Sequence, residues 1–425
     1  MTTARRTCTR RAFLARSAAA LPLLALPGRS FAAGQPPSER VRVAFSGIGW
    51  HGVNMLTKYA PYAAAVCDVD GGRLREAVAV VEKATGKPCP AVQDYRKLLD
   101  MKDVDAVFIG APDHWHALQT VHACQAGKDV YCEKPLSYAI AEGRAMVAAA
   151  RKYNRVVQTG SQQRSAAEFR TACELVRNGY LGKVRSILIG VPAPGFRGDP
   201  NAPDTTPPAD LAYDLWVDPA PLKPYNPKRL YYNFRFYWDT GGGQLTNWGA
   251  HHIDIVQWAL GHDGGCPLTV EAKARFRADK LYETPEWFDI TYHYPGGTTV
   301  RCGQDHREGI TFEGEKGALF VYRGKSESTP ADILQQPLAA KDVRLPVSTE
   351  HFHNWLECIK SRQRPICDVE IGHRSATVCH LGNIAVRTGR TIRWDPAGEQ
   401  VIGDREAAAM LSRTYRKPYE LPSLA

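Results

Sequence analysis

A glycine-rich turn near residue 50 constrains the fold of this chain more than any other feature. The motif Gly47-Ile-Gly49-Trp-His-Gly52 directly follows the apolar run Val41–Ser46 and precedes a helical segment at about 51–60. In a strand–turn–helix unit, the first glycine allows the tight turn, the second lets a pyrophosphate approach the backbone, and the third permits close helix–strand packing. The phosphate would lie against free N–H groups at the start of the helix. The motif predicts a dinucleotide-binding unit, with a tight turn that binds nothing as the alternative.

Short apolar strands alternate with helical stretches over the first part of the chain. Strands are predicted at 41–46, 63–69, 105–111, 129–132 and 156–160, and helices at about 51–60, 70–84, 114–126 and 138–152. Strands separated by helices of this length form βαβ units and a parallel sheet. The sequence therefore predicts an α/β fold whose N-terminal domain, residues 40–164, is a doubly wound parallel sheet.

The pattern changes after residue 183. A strand at 183–191 is followed by an irregular segment, 192–232, with ten prolines, and a long ordered loop of this kind usually has a function. Strands at 268–276, 287–294, 298–304, 310–313 and 318–322 alternate as in an antiparallel sheet with one solvated face, and helices near 246–260, 350–361 and 372–388 would cover the other face. We expect a C-terminal α+β domain over 165–395 with an open, largely antiparallel mixed sheet, and a C-terminal extension over 396–425.

An acidic residue ends the second predicted strand. Asp68 follows Gly52 by sixteen residues, where a carboxylate can accept the hydroxyls of an adenosine ribose. A carboxylate there would repel a 2′-phosphate, which favours NAD. Arg73 and Arg75 lie close by in the sequence and keep NADP open. A chance downstream aspartate is the alternative interpretation.

Glu133-Lys134-Pro135 follows the fifth predicted strand, at the carboxyl edge of the sheet, where folds of this kind bind ligands. A lysine at that edge can hydrogen-bond a substrate hydroxyl and hold a neighbouring base at a useful pKa. A surface lysine without a role in chemistry is the simpler interpretation of the tripeptide alone.

A second polar motif enters a helix from the glycines at 241–243. Asn247 and His251 are four residues apart, so both would project from one helix face. A histidine is a suitable proton acceptor for an alcohol that loses a hydride, because its pKa lies near neutrality. A structural histidine is the alternative, and we expect His252 to serve in packing.

Three further residues are candidates for substrate binding. Gln162 and Arg164 follow the last predicted strand of the first domain, where they would either reach a sugar or join the two domains. Trp216 belongs to a group of aromatic residues that border the proline-rich loop. Such aromatics stack on sugar faces, although packing in the core or at a subunit contact explains them equally well.

Two His-x-His pairs invite a metal interpretation. They are His114-x-His116 and His351-x-His353. Neither has the second half of a zinc framework. We therefore predict no bound metal.

The net charge of +10 comes largely from the N-terminus. Residues 1–33 hold six arginines and no acidic residue, and no run of Lys or Arg follows, so no nucleic-acid surface is predicted. Arg10-Arg11-Ala-Phe-Leu14, a short apolar run and small residues before Ala33 are typical of a twin-arginine signal peptide. The apolar run is too short to span a bilayer. We expect recognition by the twin-arginine export machinery and a periplasmic or secreted protein without a membrane anchor; a chance arginine-rich N-terminus is the alternative.

Cysteine usage indicates folding in a reducing compartment. Ten cysteines follow residue 33, and none forms a CxxC pair. We expect most of them to be small, buried, free thiols.

Together these motifs resemble the Gfo/Idh/MocA oxidoreductases. The resemblance rests on GIGWHG, on APDHWHALQTVHACQAGKDVYCEKP and on GGGQLTNWGAHHID, in this order, and extends to the segment 353–372. It implies an N-terminal Rossmann domain and a C-terminal domain whose open mixed sheet forms the floor of the substrate site and mediates homo-oligomerisation.

The resemblance also implies roles for single residues. Those expected to contact the dinucleotide are Gly47, Gly49, Gly52, Asp68, Pro112, His116, Glu133 and Lys134. Lys134 would also contact the substrate, and His251 would be the acid/base. Inositol-dehydrogenase-like members usually carry an aspartate where this chain has Asn247. An amide can orient a hydroxyl but cannot raise the histidine pKa through its charge.

We therefore expect an exported NAD(P)-dependent oxidoreductase that acts on a hydroxyl of a small-molecule sugar, cyclitol or glycoside, with a tightly held cofactor. One alternative is an NAD-dependent glycoside hydrolase that oxidises a ring carbon transiently, eliminates the aglycone, adds water and reduces again. Another is a sugar-binding protein without catalysis.

Overall fold

The structure, a computed structural model, describes residues 40–424. The predicted signal peptide at 1–33 lies outside the described residues.

A six-stranded parallel sheet forms the first half of the chain. Its strands are β1 (Val43–Ser46), β2 (Ala63–Cys67), β3 (Ala91–Val92), β4 (Ala106–Ile109), β5 (Asp129–Cys132) and β6 (Val157–Thr159). Their order is β3-β2-β1-β4-β5-β6, with every pairing parallel. The central strands are buried at every position, as expected for a sheet with both faces covered. The predicted doubly wound parallel sheet is confirmed, and the order reverses between β1 and β4, where such folds bind ligands.

Helices connect these strands. They are α1 (Trp50–Tyr59), α2 (Gly71–Thr85), α3 (Tyr95–Leu99), α4 (His116–Gln125) and α5 (Ile140–Lys152). The sequence did not predict β3 or α3. Both are too short, at two and five residues, to produce a readable apolar period.

A nine-stranded mixed sheet forms the second half. Its strands are β7 (Val184–Gly190), β8 (Thr269–Arg275), β9 (Trp287–His293), β10 (Thr299–Gly303), β11 (Gly309–Gly314), β12 (Gly317–Tyr322), β13 (Lys325–Thr329), β14 (Ile392–Asp395) and β15 (Gln400–Val401). Only β7 and β10 pair in parallel; the other pairings are antiparallel. The largely antiparallel mixed sheet is confirmed, and β9 alternates buried and half-buried residues along its length. Strands β13, β14 and β15 were not predicted.

Six helices belong to this half of the chain. They are α6 (Ala167–Arg177), α7 (Tyr213–Val217), α8 (Ala250–Leu260), α9 (His351–Ser361), α10 (Val369–Thr388) and α11 (Arg405–Ala409). Helices α6, α8 and α10 share one hydrophobic core with the mixed sheet. The expectation that α9 covers this sheet is wrong. Phe352 and Trp355 of α9 pack instead with Phe45 and Tyr131 of the parallel sheet, because that is where their apolar face finds an aromatic cluster.

The segment predicted as an extension, 396–425, is part of both halves. Strand β15 pairs with β14 and widens the mixed sheet. Farther along, Tyr419 packs edge-to-face on Trp115, with ring centroids 5.4 Å apart, within the core of the first half. The C-terminal residues therefore fasten the second half to the first.

All ten cysteines within residues 40–424 are free, and all but Cys89 are buried. In this part of the chain no helix has the length and apolar character needed to cross a bilayer.

Candidate active site

The structure gives a different reason for the presence of glycine at each of the three positions of the turn. Gly47 has a φ of +83°, and a Cβ there would lie 2.4 Å from the backbone nitrogen of Ala111. A Cβ on Gly52 would lie 2.0 Å from the carbonyl oxygen of Gly47. A Cβ on Gly49 would meet only the flexible Arg73 side chain, at 3.5 Å. Packing within the protein therefore requires the outer two glycines, whereas the middle glycine leaves free space on the side of the pocket.

A cavity of about 1110 Å³ opens at this turn and continues toward the second half of the chain. The predicted site residues that line it are Gly47, Gly49, Asp68, Pro112, His116, Glu133, Lys134, Gln162, Trp216, Asn247 and His251. Gly52 and Arg164 do not line it. Motifs separated by up to two hundred residues thus meet around one pocket. The cavity is large enough for a dinucleotide and a small substrate together.

The turn end of the pocket has the features that a dinucleotide needs. Helix α1 begins after Gly49 with no side-chain cap, so its first N–H groups are available to a phosphate. The Asp68 carboxylate accepts the backbone N–H groups of Ile48, at 2.6 Å, and Asp70, at 3.0 Å. Burial raises the pKa of Asp68, while these two bonds act in the opposite direction. Each carboxylate oxygen keeps a second lone pair, so both can still accept a ribose hydroxyl.

Arg73 and Arg75, the two arginines that leave NADP as an alternative cofactor, differ in position. Arg73 lines the pocket and donates to the Ile48 carbonyl at 3.2 Å. Arg75 is largely exposed and pairs with Asp210 at 3.0 Å, outside the pocket lining. Only Arg73 is therefore placed to meet a 2′-phosphate, and it already has a partner.

The long loop closes the same end of the pocket by hydrogen bonds to the first half. Gly71 N donates to the carbonyl of Asp210 and Ala212 N to the carbonyl of Val69, both at 2.9 Å. The hydroxyl of Tyr231 donates to Asp70 at 3.2 Å, and the Arg73 guanidinium lies 4.4 Å from the centre of the Tyr231 ring. We call the segment 210–231 the strap. The strap covers the strand ends at which Asp68 lies.

A buried carboxylate organises the middle of the pocket. Glu133 contacts His51 Nε2 at 2.9 Å and accepts from Gln162 Nε2 at 3.0 Å. A Cβ on Gly160 would lie 2.7 Å from this carboxylate, so Gly160 makes room for it. The negative charge of Glu133 raises the pKa of His51. Gln162 thus supports Glu133, and His51 is a pocket residue that the sequence motif treats as variable.

Lys134 and the helix-entry motif meet at the far end of the pocket. Lys134 Nζ donates to the backbone oxygen of Asn247 at 2.9 Å and lies 3.4 Å from its amide oxygen. The amide nitrogen of Asn247 donates to Gln244 Oε1 at 2.8 Å, which turns its oxygen toward the lysine. Burial, followed by the charge of Arg235, lowers the pKa of Lys134 to about 8. Asn247 therefore positions Lys134.

His251 is held as a neutral base. Burial and the nearby charges of Lys134 and Arg323 lower its pKa well below the ordinary value. Its Nδ1 is buried without a hydrogen-bond partner. The helix entry differs from the prediction, because Leu245–Gly249 forms a π-helical turn before α8 begins at Ala250. Turns of this kind are frequent at functional sites, and this one changes the angular relation between Asn247 and His251.

Arg164 is a structural residue and not a candidate for substrate contact. Its guanidinium is fully buried, donates to both carboxylate oxygens of Asp254 at 2.7 and 3.0 Å, and pairs with Asp263 at 2.8 Å. A guanidinium that is fully buried and lies outside the pocket lining cannot reach a sugar in the cavity. Of the two alternatives for Arg164, the structure supports the one in which it joins the end of the first domain to the second. Trp216 lines the pocket, and its carbonyl accepts from His114 Nε2 at 2.9 Å.

Three of the four paired histidines, His114, His116 and His351, contact backbone oxygens, and the His353 ring lies 3.5 Å from a carboxylate oxygen of Glu350. Both ring nitrogens of His116 lie at hydrogen-bond distance from carbonyl oxygens, Pro135 at 2.7 Å and Ala111 at 2.8 Å. Burial opposes its protonation, but the Cys132 sulfur, Asp113 and the Pro135 carbonyl raise the pKa of His116 to about 10. His351 contacts the carbonyl of Thr159 at 2.9 Å. Within residues 40–424, no group of three or more histidine, cysteine or acidic side chains has a geometry that would hold a metal ion.

Profiles of one protein family match both halves of the chain. "Oxidoreductase family, NAD-binding Rossmann fold" matches residues 41–161, and "Oxidoreductase family, C-terminal alpha/beta domain" matches residues 174–421. The chain belongs to the Gfo/Idh/MocA oxidoreductase family. Its first half is thus an NAD-binding Rossmann domain, as the resemblance implied.

Individual proteins are similar to this chain over shorter stretches. A 1,5-anhydro-D-fructose reductase from Ensifer adhaerens is 32% identical over 34% of this chain and 39% of its own length. A glycosyl hydrolase family 109 protein from Shewanella sp. (strain ANA-3) is 28% identical over 35% of this chain and 34% of its own. Among solved structures, an aldose–aldose oxidoreductase from Caulobacter crescentus, complexed with glycerol, has a TM-score of 0.62 at 22% identity, covering 83% of this chain and 99% of that one. The curated relatives are matched over well under half their length, and the structural likeness shows the shared fold.

Proposed function

We propose that this chain is an NAD-dependent oxidoreductase that transfers hydride between the carbon of a sugar, cyclitol or glycoside hydroxyl and the nicotinamide ring, with NADP as the less favoured cofactor. One observation carries the proposal. Lys134 and His251, from opposite halves of the chain, line the same pocket as the glycine turn of the NAD-binding domain. The reductase among the curated relatives supports the same reaction class.

The pocket residues and the cofactor have separate tasks in the reaction. Gly47, Gly49 and Asp68 would hold NAD, whose nicotinamide ring would supply the hydride acceptor in oxidation and the hydride donor in reduction. Neutral His251 accepts the hydroxyl proton as the hydride leaves the carbon, and returns that proton in the reverse direction. The Lys134 ammonium, with one donor used by the Asn247 carbonyl, can direct another at the substrate oxygen. The amide of Asn247 fixes the lysine without adding charge.

We also propose that the cofactor stays bound between turnovers. The strap hydrogen-bonds across the strand ends at Val69 and Gly71, and an exported enzyme would find little free dinucleotide. The test is to denature the purified protein and to identify any released nucleotide by mass. Stoichiometric NAD supports the proposal, and a supernatant without nucleotide contradicts it.

An NAD-dependent glycoside hydrolase is the second candidate. The family 109 glycosyl hydrolase among the relatives favours it, as does a closed cofactor site, because transient oxidation followed by re-reduction consumes no NAD. Aryl glycosides separate the two functions. Release of the phenol without net NADH indicates hydrolysis, whereas accumulation of NADH with a free sugar indicates oxidation. Failure of both reactions would favour a sugar-binding protein.

Export and assembly belong to the same proposal. The segment Arg10–Leu14 supports passage through the twin-arginine route to the periplasm or beyond. Replacing both arginines by lysine should retain the precursor in the cytoplasm, as fractionation and N-terminal sequencing would reveal.

The open face of the mixed sheet is the proposed contact of a homo-oligomer, and light scattering of the purified protein tests it.

A further inference from the structure

Three arginines at the pocket have no acidic partner. They are Arg197, Arg235 and Arg323, and all three line the cavity. Within residues 40–424, no carboxylate lies at salt-bridge distance from any of them. The fourth arginine in the cavity lining, Arg73, does have such a partner, Asp70 at 3.6 Å. Three of the four arginines that line the cavity therefore lack a carboxylate at salt-bridge distance among the described residues.

Arg235 is the most deeply placed of the three. Its guanidinium lies 4.3 Å from the Tyr232 ring centre and 4.6 Å from that of Phe234, and it donates to the Tyr232 carbonyl. Burial lowers the pKa of Arg235, while the charge of Asp113 acts in the opposite direction. A charge that is removed from water and has no bonded counter-charge destabilises the folded protein. The arrangement is explained if a bound molecule supplies the anion.

Arg323 lines the same cavity from the mixed sheet and is exposed to solvent. It follows β12 and lies 4.8 Å over the ring of Trp248, the neighbour of Asn247 in the π-helical turn. The bond from Gly324 N to Glu168 Oε1, at 2.9 Å, fixes this connection between strands. The charge of Arg323 contributes to the lowered pKa of both Lys134 and His251. It is therefore close to the residues assigned to proton transfer.

The phosphates of the cofactor do not require Arg235 or Arg323. They would be met by the free N–H groups at the start of α1 and by Arg73, which lies 3.2 Å from the Ile48 carbonyl. The Arg197 guanidinium also lies toward this helix, 5.9 Å from the Trp50 ring. Arg235 and Arg323 act instead on Lys134. Two cations thus remain for the substrate.

We propose that the substrate is an acidic sugar whose carboxylate or phosphate is held by Arg235 and Arg323 while its reacting hydroxyl lies at Lys134 and His251. The proposal rests on the proposed function. A guanidinium presents a planar fork of donors that matches a carboxylate or phosphate in two bonds. An anion between the two arginines would also neutralise the positive field that acts on the lysine.

The test compares matched sugars on the NAD-loaded protein. Glucose, glucuronate and glucose 6-phosphate form one set, and galactose, galacturonate and galactose 6-phosphate form another. Binding is measured by calorimetry and hydride transfer by the absorbance of NADH. We expect an acidic member to bind at least about tenfold more tightly than its neutral counterpart, equivalent to about 1.4 kcal/mol. The carboxylate and phosphate members show which anion is preferred.

Arg235→Gln and Arg323→Gln should each remove this preference, measured as the ratio of acidic-sugar to neutral-sugar affinity in the same variant. Because both charges also lower the pKa of Lys134, the variants and the wild type are compared at a pH well below 8, where Lys134 is protonated in all of them. Arg275→Gln is the control, since Arg275 pairs with Glu286 away from the pocket. Arg235→Lys and Arg323→Lys keep the charge and should restore part of the preference even if a glutamine variant folds poorly. Equal binding of neutral and acidic sugars, or no binding of any acidic member, overturns the proposal. Hydride transfer from neutral sugars in that case leaves the oxidoreductase function standing, whereas a protein without bound nucleotide removes both.

Discussion

The two ends of the pocket are built by different means. The cofactor end consists of backbone: the turn at Gly47–Gly49, the strand ends near Asp68, and the strap, joined through the Asp210 and Val69 carbonyls. The chemistry end consists of side chains. Lys134, His251 and the unpaired arginines reach it from separate elements. A site of backbone depends on a few local conformations, whereas a site of side chains depends on how distant elements pack.

This difference has a consequence for substitutions. At the cofactor end, a change in one glycine alters the path of the chain and should affect binding and stability together. At the chemistry end, a polar side chain can be removed while the surrounding core remains, so that turnover should change with little effect on the fold. Variants at the two ends should therefore separate cofactor content from catalysis.

The largest effect is expected at the chemistry end. His251→Ala removes the proton acceptor and should lower kcat by about 10² to 10⁴-fold. Its NAD content should equal that of the wild type, because His251 makes no contact with the glycine turn. Steady-state kinetics and the nucleotide released on denaturation measure the two quantities. His262→Ala is the matched control, since His262 lies outside the pocket lining. Unchanged turnover in His251→Ala would contradict the assignment of the base.

Substitutions at Gly47 and Gly49 should have different effects at the cofactor end, one on stability and the other on NAD binding. Gly47→Ala places a Cβ 2.4 Å from Ala111 N at a φ of +83°, so the free energy of unfolding should fall by about 2 kcal/mol or more. The Cβ of Gly49→Val meets no protein backbone within 4 Å, so the fold should keep its stability while bound NAD is lost. Thermal unfolding and nucleotide content report the two outcomes. Retention of NAD by Gly49→Val would show that the space above Gly49 is not used by the cofactor.

The sequence predicted the cofactor end well for a physical reason. The signals at this end are all local: a strand, a turn with three glycines and an aspartate at the end of the next strand. Each of these short patterns is typical of one backbone conformation, so each could be recognised from neighbouring residues alone. Even so, His51 was missed, because it occupies a position that the motif leaves variable. Its role depends on Glu133, eighty-two residues away. No local pattern contains that contact.

The chemistry end was predicted in part. Lys134, Asn247 and His251 were found through their motifs, but the π-helical turn was not, since a helical period does not reveal one additional residue per turn. Arg164 and Arg235 illustrate the remaining limit. Both follow polar or aromatic stretches, yet one meets Asp254 and the other meets no carboxylate among the described residues. Helix α9 has the same limit, since its apolar face is visible in the sequence and the sheet that it packs on is not.

Lys134 allows a sharper test of the chemistry end through pH. Burial and Arg235 lower its pKa to about 8, and the ammonium form is the one that donates to the substrate oxygen. As the pH rises through about 8 the ammonium is lost, so kcat/KM should decline by about tenfold per pH unit above that value. Lys134→Arg should move this decline beyond the measured range, because a guanidinium stays protonated. Lys128→Arg, at a lysine bound to the carbonyls of Met101 and Val104, is the control. The same decline in Lys134→Arg would assign it to another group.

The smallest effect concerns the strap. Tyr231→Ala removes a hydrogen bond to Asp70 and a cation–π contact with Arg73, each worth about 1 kcal/mol at a partly exposed site. Because these contacts must open before a cofactor leaves, its exchange should be accelerated by about five- to thirty-fold, while kcat measured with saturating NAD stays near the wild-type value. The measurement is the loss of bound unlabelled NAD into an excess of isotopically labelled NAD, followed by mass. Tyr180→Phe is the matched control, since the Tyr180 hydroxyl contacts Asp342 outside the pocket. Exchange that is equally slow in Tyr231→Ala would mean that the backbone bonds at Val69 and Gly71 alone hold the strap closed, and a fall in kcat of the same size would mean that the two ends of the pocket are coupled.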